Sequence, residues 1–209
     1  MDDFTFVFTI FFSLMGPVKL IVYFASETEG YDESFKRAVA LRSTLISGAT
    51  VTAVALCAPL LLYEYQVSIE ALMLAGGVVL LLTALNGLIG KKPPQPAKPS
   101  EISALDFSFA HVATKLIVTP PTIASILIFM MLASEYPHMP FNVAGALALI
   151  VPMNLAVMYY NSQILRLPSL LLILKIVASV LIFMQVALAI DTILVALARL
   201  DLVPEVTLV

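Results

Sequence analysis

The sequence predicts an all-α integral membrane protein of six transmembrane helices, arranged as two inverted-topology three-helix repeats with broken first and fourth helices. Three observations lead there. First, 61% of the 209 residues are hydrophobic, 12% are charged and the mean hydropathy is +1.03. A soluble domain carries about 25% charged residues, and no core of this size absorbs so much apolar surface, so lipid must act as solvent. Second, six stretches reach the roughly 20 apolar residues that a spanning helix needs. Third, a proline interrupts the first and the fourth of these at comparable places.

The stretches are residues 4–25, 43–63, 67–90, 109–133, 141–164 and 169–197. The N-terminus reads MDDFTF. It is acidic where a signal peptide is basic, so the first stretch is expected to stay as a membrane helix. The second is rich in small residues, and Gly48-xxx-Thr52 and Ala49-xxx-Ala53 predict close helix packing, as does LAGGVV at 74–79 in the third. Between the third and fourth lies GKKPPQPAKPSEISALD, residues 90–106, whose four prolines and three lysines read as a polar linker. Residues 1–90 and 109–209 then form the two repeats, joined by 91–108. The sixth stretch exceeds a bilayer's thickness and is expected to tilt or emerge.

Orientation follows the basic residues. Lys36, Arg37 and Arg42 flank the first loop, Lys91, Lys92 and Lys98 the third, and Arg166 the fifth. The second and fourth loops hold no Lys or Arg, which places odd loops in the cytoplasm and both termini on the outer side. Arg199 is the exception. Three spans per half make the halves antiparallel, the arrangement of many secondary transporters. Pro17 and Pro120 stand 103 residues apart, about half the chain.

Proline lacks an N–H and clashes with the carbonyl one turn back. Lipid cannot satisfy the freed groups, so a break must face protein or a watery cavity. Half-helix N-termini at such a break favour anions. Gly16-Pro17 and Thr119-Pro120-Pro121-Thr122 are therefore candidate substrate-binding segments. Lys19 and Lys115 either line a vestibule beside them or snorkel to headgroups; snorkelling is the expectation for Lys175. His111, one turn before Lys115, is expected to be an ordinary interfacial residue. Asp191, Asn86 and Asn154 are candidates for coupling or polar lining. Asp191 is either an ion carrier or an outer-interface residue, and Asn86 and Asn154 either bond between helices or face a cavity. Cys57 in VALCAPLLL is expected to be buried and inert. With no Trp, an aromatic belt must use Tyr and Phe.

No HExxH, CxxC, GxSxG or phosphate-loop motif occurs, and no basic surface for nucleic acid. An enzyme is therefore not expected, nor a metal or organic cofactor.

With a proline in the first and fourth spans and LAGGVVLLLTALNGLIG in the third, the chain resembles the MarC family of bacterial inner-membrane proteins. The third-span family pattern is Arg-Ile-Ala-Gly-Gly, then leucines, then Asp. Ala75, Gly76 and Gly77 match it, while Met73 and Asn86 replace the Arg and the Asp. The first-span pattern is Asn-Pro-x-Gly; Pro17 matches, with Gly16 for Asn and Lys19 for Gly. The fourth-span pattern is Ala-Gly-Pro-Gly-Ala-Ile; Pro120 and Ile123 match, with Thr119 and Pro121 for the glycines. Lys175 stands where an Arg is usual, and Asp191 falls on the family's Asp. Some members are described as small neutral amino-acid transporters. The resemblance thus implies a multi-pass inner-membrane protein that transports or exports a small amino acid or related carboxylate, with possible H⁺ or Na⁺ coupling and possible homo-oligomerisation. The intramembrane lysines Lys19 and Lys115 suggest an altered, more anionic ligand. A non-transporting scaffold is the alternative, and it requires dry, fully packed breaks.

Overall fold

A computed structural model describes residues 3–89, 103–166 and 168–202, and all regular structure among them is helical. Helices α1 (Asp3–Met15) and α2 (Pro17–Glu27) form one interrupted span, followed by α3 (Glu33–Glu64) and α4 (Ile69–Ile89). Helix α5 (Ala104–Phe107) runs on as a π-helix (Ser108–Ile117), and α6 (Pro120–Met131) follows after a bend of 58°. Helix α7 (Met139–Tyr159), the short α8 (Asn161–Ile164) and α9 (Pro168–Arg199) complete the chain. Five of these stretches are long and apolar enough to cross a bilayer, or six when the bent pair counts as one span.

Both interruptions fall where proline opens a helix. Pro17 is the first residue of α2, and Gly16 before it is extended at φ −73°, ψ 165°. Any residue adopts those angles; the glycine is required by space instead. A Cβ there would stand 1.9 Å from the Phe12 carbonyl oxygen. In the fourth span Thr119 is extended at φ −83°, ψ 156° ahead of Pro120. The Thr119 and Thr122 hydroxyls meet at 3.0 Å across the start of α6. The wide register of the π-helix persists to the break, where the Val118 N–H reaches the Ala113 carbonyl at 2.7 Å. Such helices are rare and recur at functional sites.

The first span is the most enclosed and forms the core of the bundle. Val7, Phe11, Leu14, Met15, Leu20 and Phe24 are all buried, and Phe11 meets Phe129 of α6 edge to face at 5.6 Å. The small residues face helix contacts. Gly76 lies against Ile128 of α6, Gly77 against Ala189 and Ile193 of α9, and Gly48 against Val151 of α7. A Cβ on Gly77 would meet Ile193 Cγ1 at 2.5 Å and the Ala189 carbonyl oxygen at 3.1 Å, so α4 and α9 approach at backbone distance. The outer faces carry exposed Leu56, Leu60, Phe141, Leu172 and Phe183, a surface suited to acyl chains rather than water.

Three expectations are corrected. Helix α3 begins at Glu33, ten residues before the predicted 43, because its polar first turns continue the same helix. The fourth span begins at Ala104, inside the stretch read as linker. There the Ser103 hydroxyl accepts the Asp106 N–H at 3.2 Å and donates to the Asp106 carboxylate at 2.7 Å, a local N-cap that starts a helix. Cys57 is exposed on the outer face of α3, while its neighbour Ala58 is buried. The linker's residues 90–102, with Lys91, Lys92 and Lys98, lie outside the described residues.

Gly16→Ala is expected to lower stability by about 1–3 kcal/mol, because the clash is with backbone that cannot rotate away. Gly48→Ala, whose Cβ would stand at an ordinary 3.4 Å from Val151, is the tolerated control. Thermal unfolding of both variants in detergent checks this; equal unfolding temperatures would contradict it.

Candidate functional site

The first break sits deep in the protein, and polar side chains tie the interrupted span to its neighbours. Asn154 of α7 donates to the Met15 carbonyl at 2.7 Å, and Asn161 of α8 donates to Ile21 at 2.9 Å. Ser13 donates to the Leu181 carbonyl of α9 at 3.1 Å. The freed backbone is thus only partly open to a ligand, and Asn154, 1% exposed, is an interhelical clamp.

Gly16 also lines a cavity of about 920 Å³ at the end of the bundle where α2 finishes. Lys19, Asn86, Lys115, Thr119 and Pro121 line it too, so six of the residues singled out from sequence converge there. Pro17, Pro120, Thr122 and Asn154 do not. Pro17 and Thr122 are buried in the breaks, and Pro120 is exposed on the outside. His111 is half-buried and stacks on Phe107 at 4.8 Å instead of lining the cavity with Lys115. The side chain of Lys175 lies outside the described residues.

Lys19 decides the character of this cavity. Its ammonium donates to the Gln185 side-chain carbonyl at 2.8 Å. Gln185 lies near the middle of α9, 17 residues from Pro168 and 14 from Arg199. The lysine is rooted in the first turn of α2 and points to mid-span, the opposite of snorkelling. Lys115 stands exposed on the cavity wall. Among the described residues no carboxylate pairs with Lys19. A charge at this depth costs at least about 2.5 kcal/mol on insertion scales, and one amide is a weak counterweight.

Gln185 was not identified from sequence. It is 2% exposed, and its amide N–H also points at the Leu80 carbonyl at 3.5 Å. A lone Gln inside an otherwise apolar span was the available signal.

A second cavity of about 300 Å³ opens toward the opposite end. Ser13, Ser125, Phe129, Asp191 and Arg199 are among its walls. Asp191 therefore faces a different cavity from Lys19 and Asn86. Leu14 and Gln185 line both cavities, so these two side chains are the septum between them. At the far end Arg199 donates twice to Glu135, at 2.8 and 3.0 Å, tying α9 to the chain after α6. Those hydrogen bonds hold the Glu135 carboxyl below its ordinary range.

Comparison with known proteins agrees with a helical membrane protein. The chain is 27% identical over 136 residues to a UPF0056 membrane protein of Methanocaldococcus jannaschii, covering 63% of this chain and 66% of the relative. It is 27% identical over 127 residues to the UPF0056 membrane protein YvbG of Bacillus subtilis, covering 58% and 60%. The matched stretches thus span less than two thirds of those relatives' lengths. No solved structure matches significantly. Residues 1–197 match the family described as MarC family integral membrane protein, nearly the whole chain. The protein belongs to the MarC family.

Proposed function

We propose that this protein moves a small solute bearing a carboxylate, such as a small amino acid or a related acid, across the membrane by alternating access. The carrying observation is the pair of cavities that enter from opposite ends and stop at one thin septum, with an uncompensated ammonium beside it. A solute carboxylate in the larger cavity takes the place of the Gln185 oxygen on Lys19. Charge-assisted hydrogen bonds of this kind contribute about 1.5–3 kcal/mol. Lys115 on the same wall raises the local concentration of anions. Displaced, Gln185 loses its strongest contact, and the septum between Leu14 and Gln185 loosens.

The helix pairing supports an inverted repeat. The first span packs on the fifth and the fourth on the second; the third packs on the sixth and the second on the fifth. Exchanging the two halves maps this pattern onto itself. Rocking of one half against the other then opens one cavity as it closes its counterpart. The basic loops favour a cytoplasmic position for the α2–α3 end, which would make the larger cavity face inward. A scaffold reading requires packed breaks, and the 920 Å³ cavity at Gly16, Thr119 and Pro121 counts against it.

In proteoliposomes, saturable flux of at least one small amino acid or carboxylate is expected. Lys19→Met should reduce flux about 10- to 100-fold, the range set by losing a charged hydrogen bond. Lys115→Ala should mainly raise the half-saturating concentration. Absence of flux across a broad panel, or full flux in Lys19→Met, would contradict the reading.

Leu14→Trp should fill the septum from one side and abolish flux while the protein still folds. Unchanged transport in that variant would show that the pathway lies elsewhere.

A further inference from the structure

We propose that the smaller cavity is a binding site for an organic ammonium ion, with Asp191 as its counter-charge and Ser125 as a hydrogen-bonding partner in the same cavity. Asp191 is half-buried on a membrane-spanning helix and lines this cavity. Among the described residues its carboxylate has no hydrogen-bond or ion-pair partner. The neighbouring cations are committed elsewhere. Arg199 is paired in bidentate fashion with Glu135, and Lys19 gives its ammonium to Gln185 from the other cavity. An unpaired carboxylate at this depth is expensive unless a cation reaches it.

A second feature points independently to a ligand. Ser125 of α6 is 2% exposed, and its hydroxyl, walled into the same cavity, finds no partner. A buried hydroxyl left unbonded costs about 1–3 kcal/mol, so this one is provided for by a guest. Two oxygens in the walls of one cavity, from α6 and α9, suit the N–H groups of an ammonium.

Size and lining select an organic cation over a bare metal ion. Hard divalent cations take six or more oxygens, and no cluster of three metal-ligating acidic, His or Cys groups exists among the described residues. A cavity of about 300 Å³ far exceeds one ion. Its remaining walls include Ile10, Ile128 and the rings of Phe6 and Phe129, which stand at 89° with centroids 6.2 Å apart. Aromatic rings attract ammonium groups, and the aliphatic walls receive the alkyl body. Six residues of α9 separate Gln185 from Asp191, about 9 Å along the axis. The adjacent charges of one α-amino acid cannot reach both ends, so this is a second site, and it stands whether or not the carboxylate reading of the larger cavity holds.

The test is thermal unfolding of the purified full-length protein in detergent with n-butylammonium chloride, against n-butanol, sodium butyrate and sodium chloride. Butylammonium is expected to raise the unfolding temperature in a saturable way, and the three controls are not. Asp191→Asn should abolish the rise, and Ser125→Ala should weaken the apparent affinity about tenfold, the loss of one hydrogen bond to a charge. Lys19→Met should keep the rise, which separates this site from the larger cavity. Ser125→Phe, which fills the cavity that Asp191 lines, must also lose the rise and stands in if Asp191→Asn does not fold. No rise, a rise matched by sodium chloride or butanol, or a rise that survives both Asp191→Asn and Ser125→Phe would overturn the proposal.

Discussion

The structure depends on one constraint: backbone polar groups freed inside a membrane must find partners within the protein. At Gly16-Pro17 the chain gives up helical continuity in the most enclosed span of the molecule. The first span is consequently the one that other helices surround, and Asn154, Asn161 and Ser13 tie α7, α8 and α9 to it. Of the three, Asn154 reaches backbone at the break itself, donating to the Met15 carbonyl. The break obliges the bundle to assemble around α1 and α2, and so places Lys19 at the centre instead of at a lipid face.

How much of this was legible in the sequence follows from the range of each signal. Spans and breaks are local properties, carried by runs of apolar residues and by Pro17 and Pro120, and both interruptions lie where the prolines put them. The convergence of Gly16, Lys19, Lys115 and Thr119 on one cavity follows from breaks that occupy corresponding depths. Span edges were less legible at two starts, because the charged first turns of α3 remain helical and Ser103 caps a helix inside a stretch dominated by prolines. Cys57 was misjudged because an apolar neighbourhood means burial in water but an outward face in lipid.

Gln185 shows the limit of reading one chain without contacts. Its meaning rests on Lys19, 166 residues earlier, and no spacing rule joins positions so distant. Asn154 was legible as an interhelical donor, yet its acceptor, the Met15 carbonyl beside the break, emerges only when α7 crosses the first span. Asp191 and Lys19 were read for separate roles, but nothing in the sequence showed that the septum falls between them and gives each its own cavity.

That separation bears on how such a septum can open. Leu14 belongs to the enclosed first span, and Gln185 to α9, whose main neighbour is α4 through the close approach at Gly77. The first span is held at its break by α7 and contributes many of the largest core residues, so it is the harder element to displace. Helix α9 is mostly exposed to the outside and is tied to the first span by polar contacts that include those of Ser13 and Lys19. The α4–α9 pair is therefore the softer partner across the septum. Motion of that pair against the first span would separate Gln185 from Leu14 and stretch the Lys19 contact. At the other end it would load the Arg199–Glu135 ion pair, which anchors α9 to the chain after α6. A ligand that replaces Gln185 on Lys19 acts on one of these restraints, and a cation at Asp191 acts on the same helix from the other side. Both cavities thus bear on one movable element, and the septum need not be rebuilt for access to change ends.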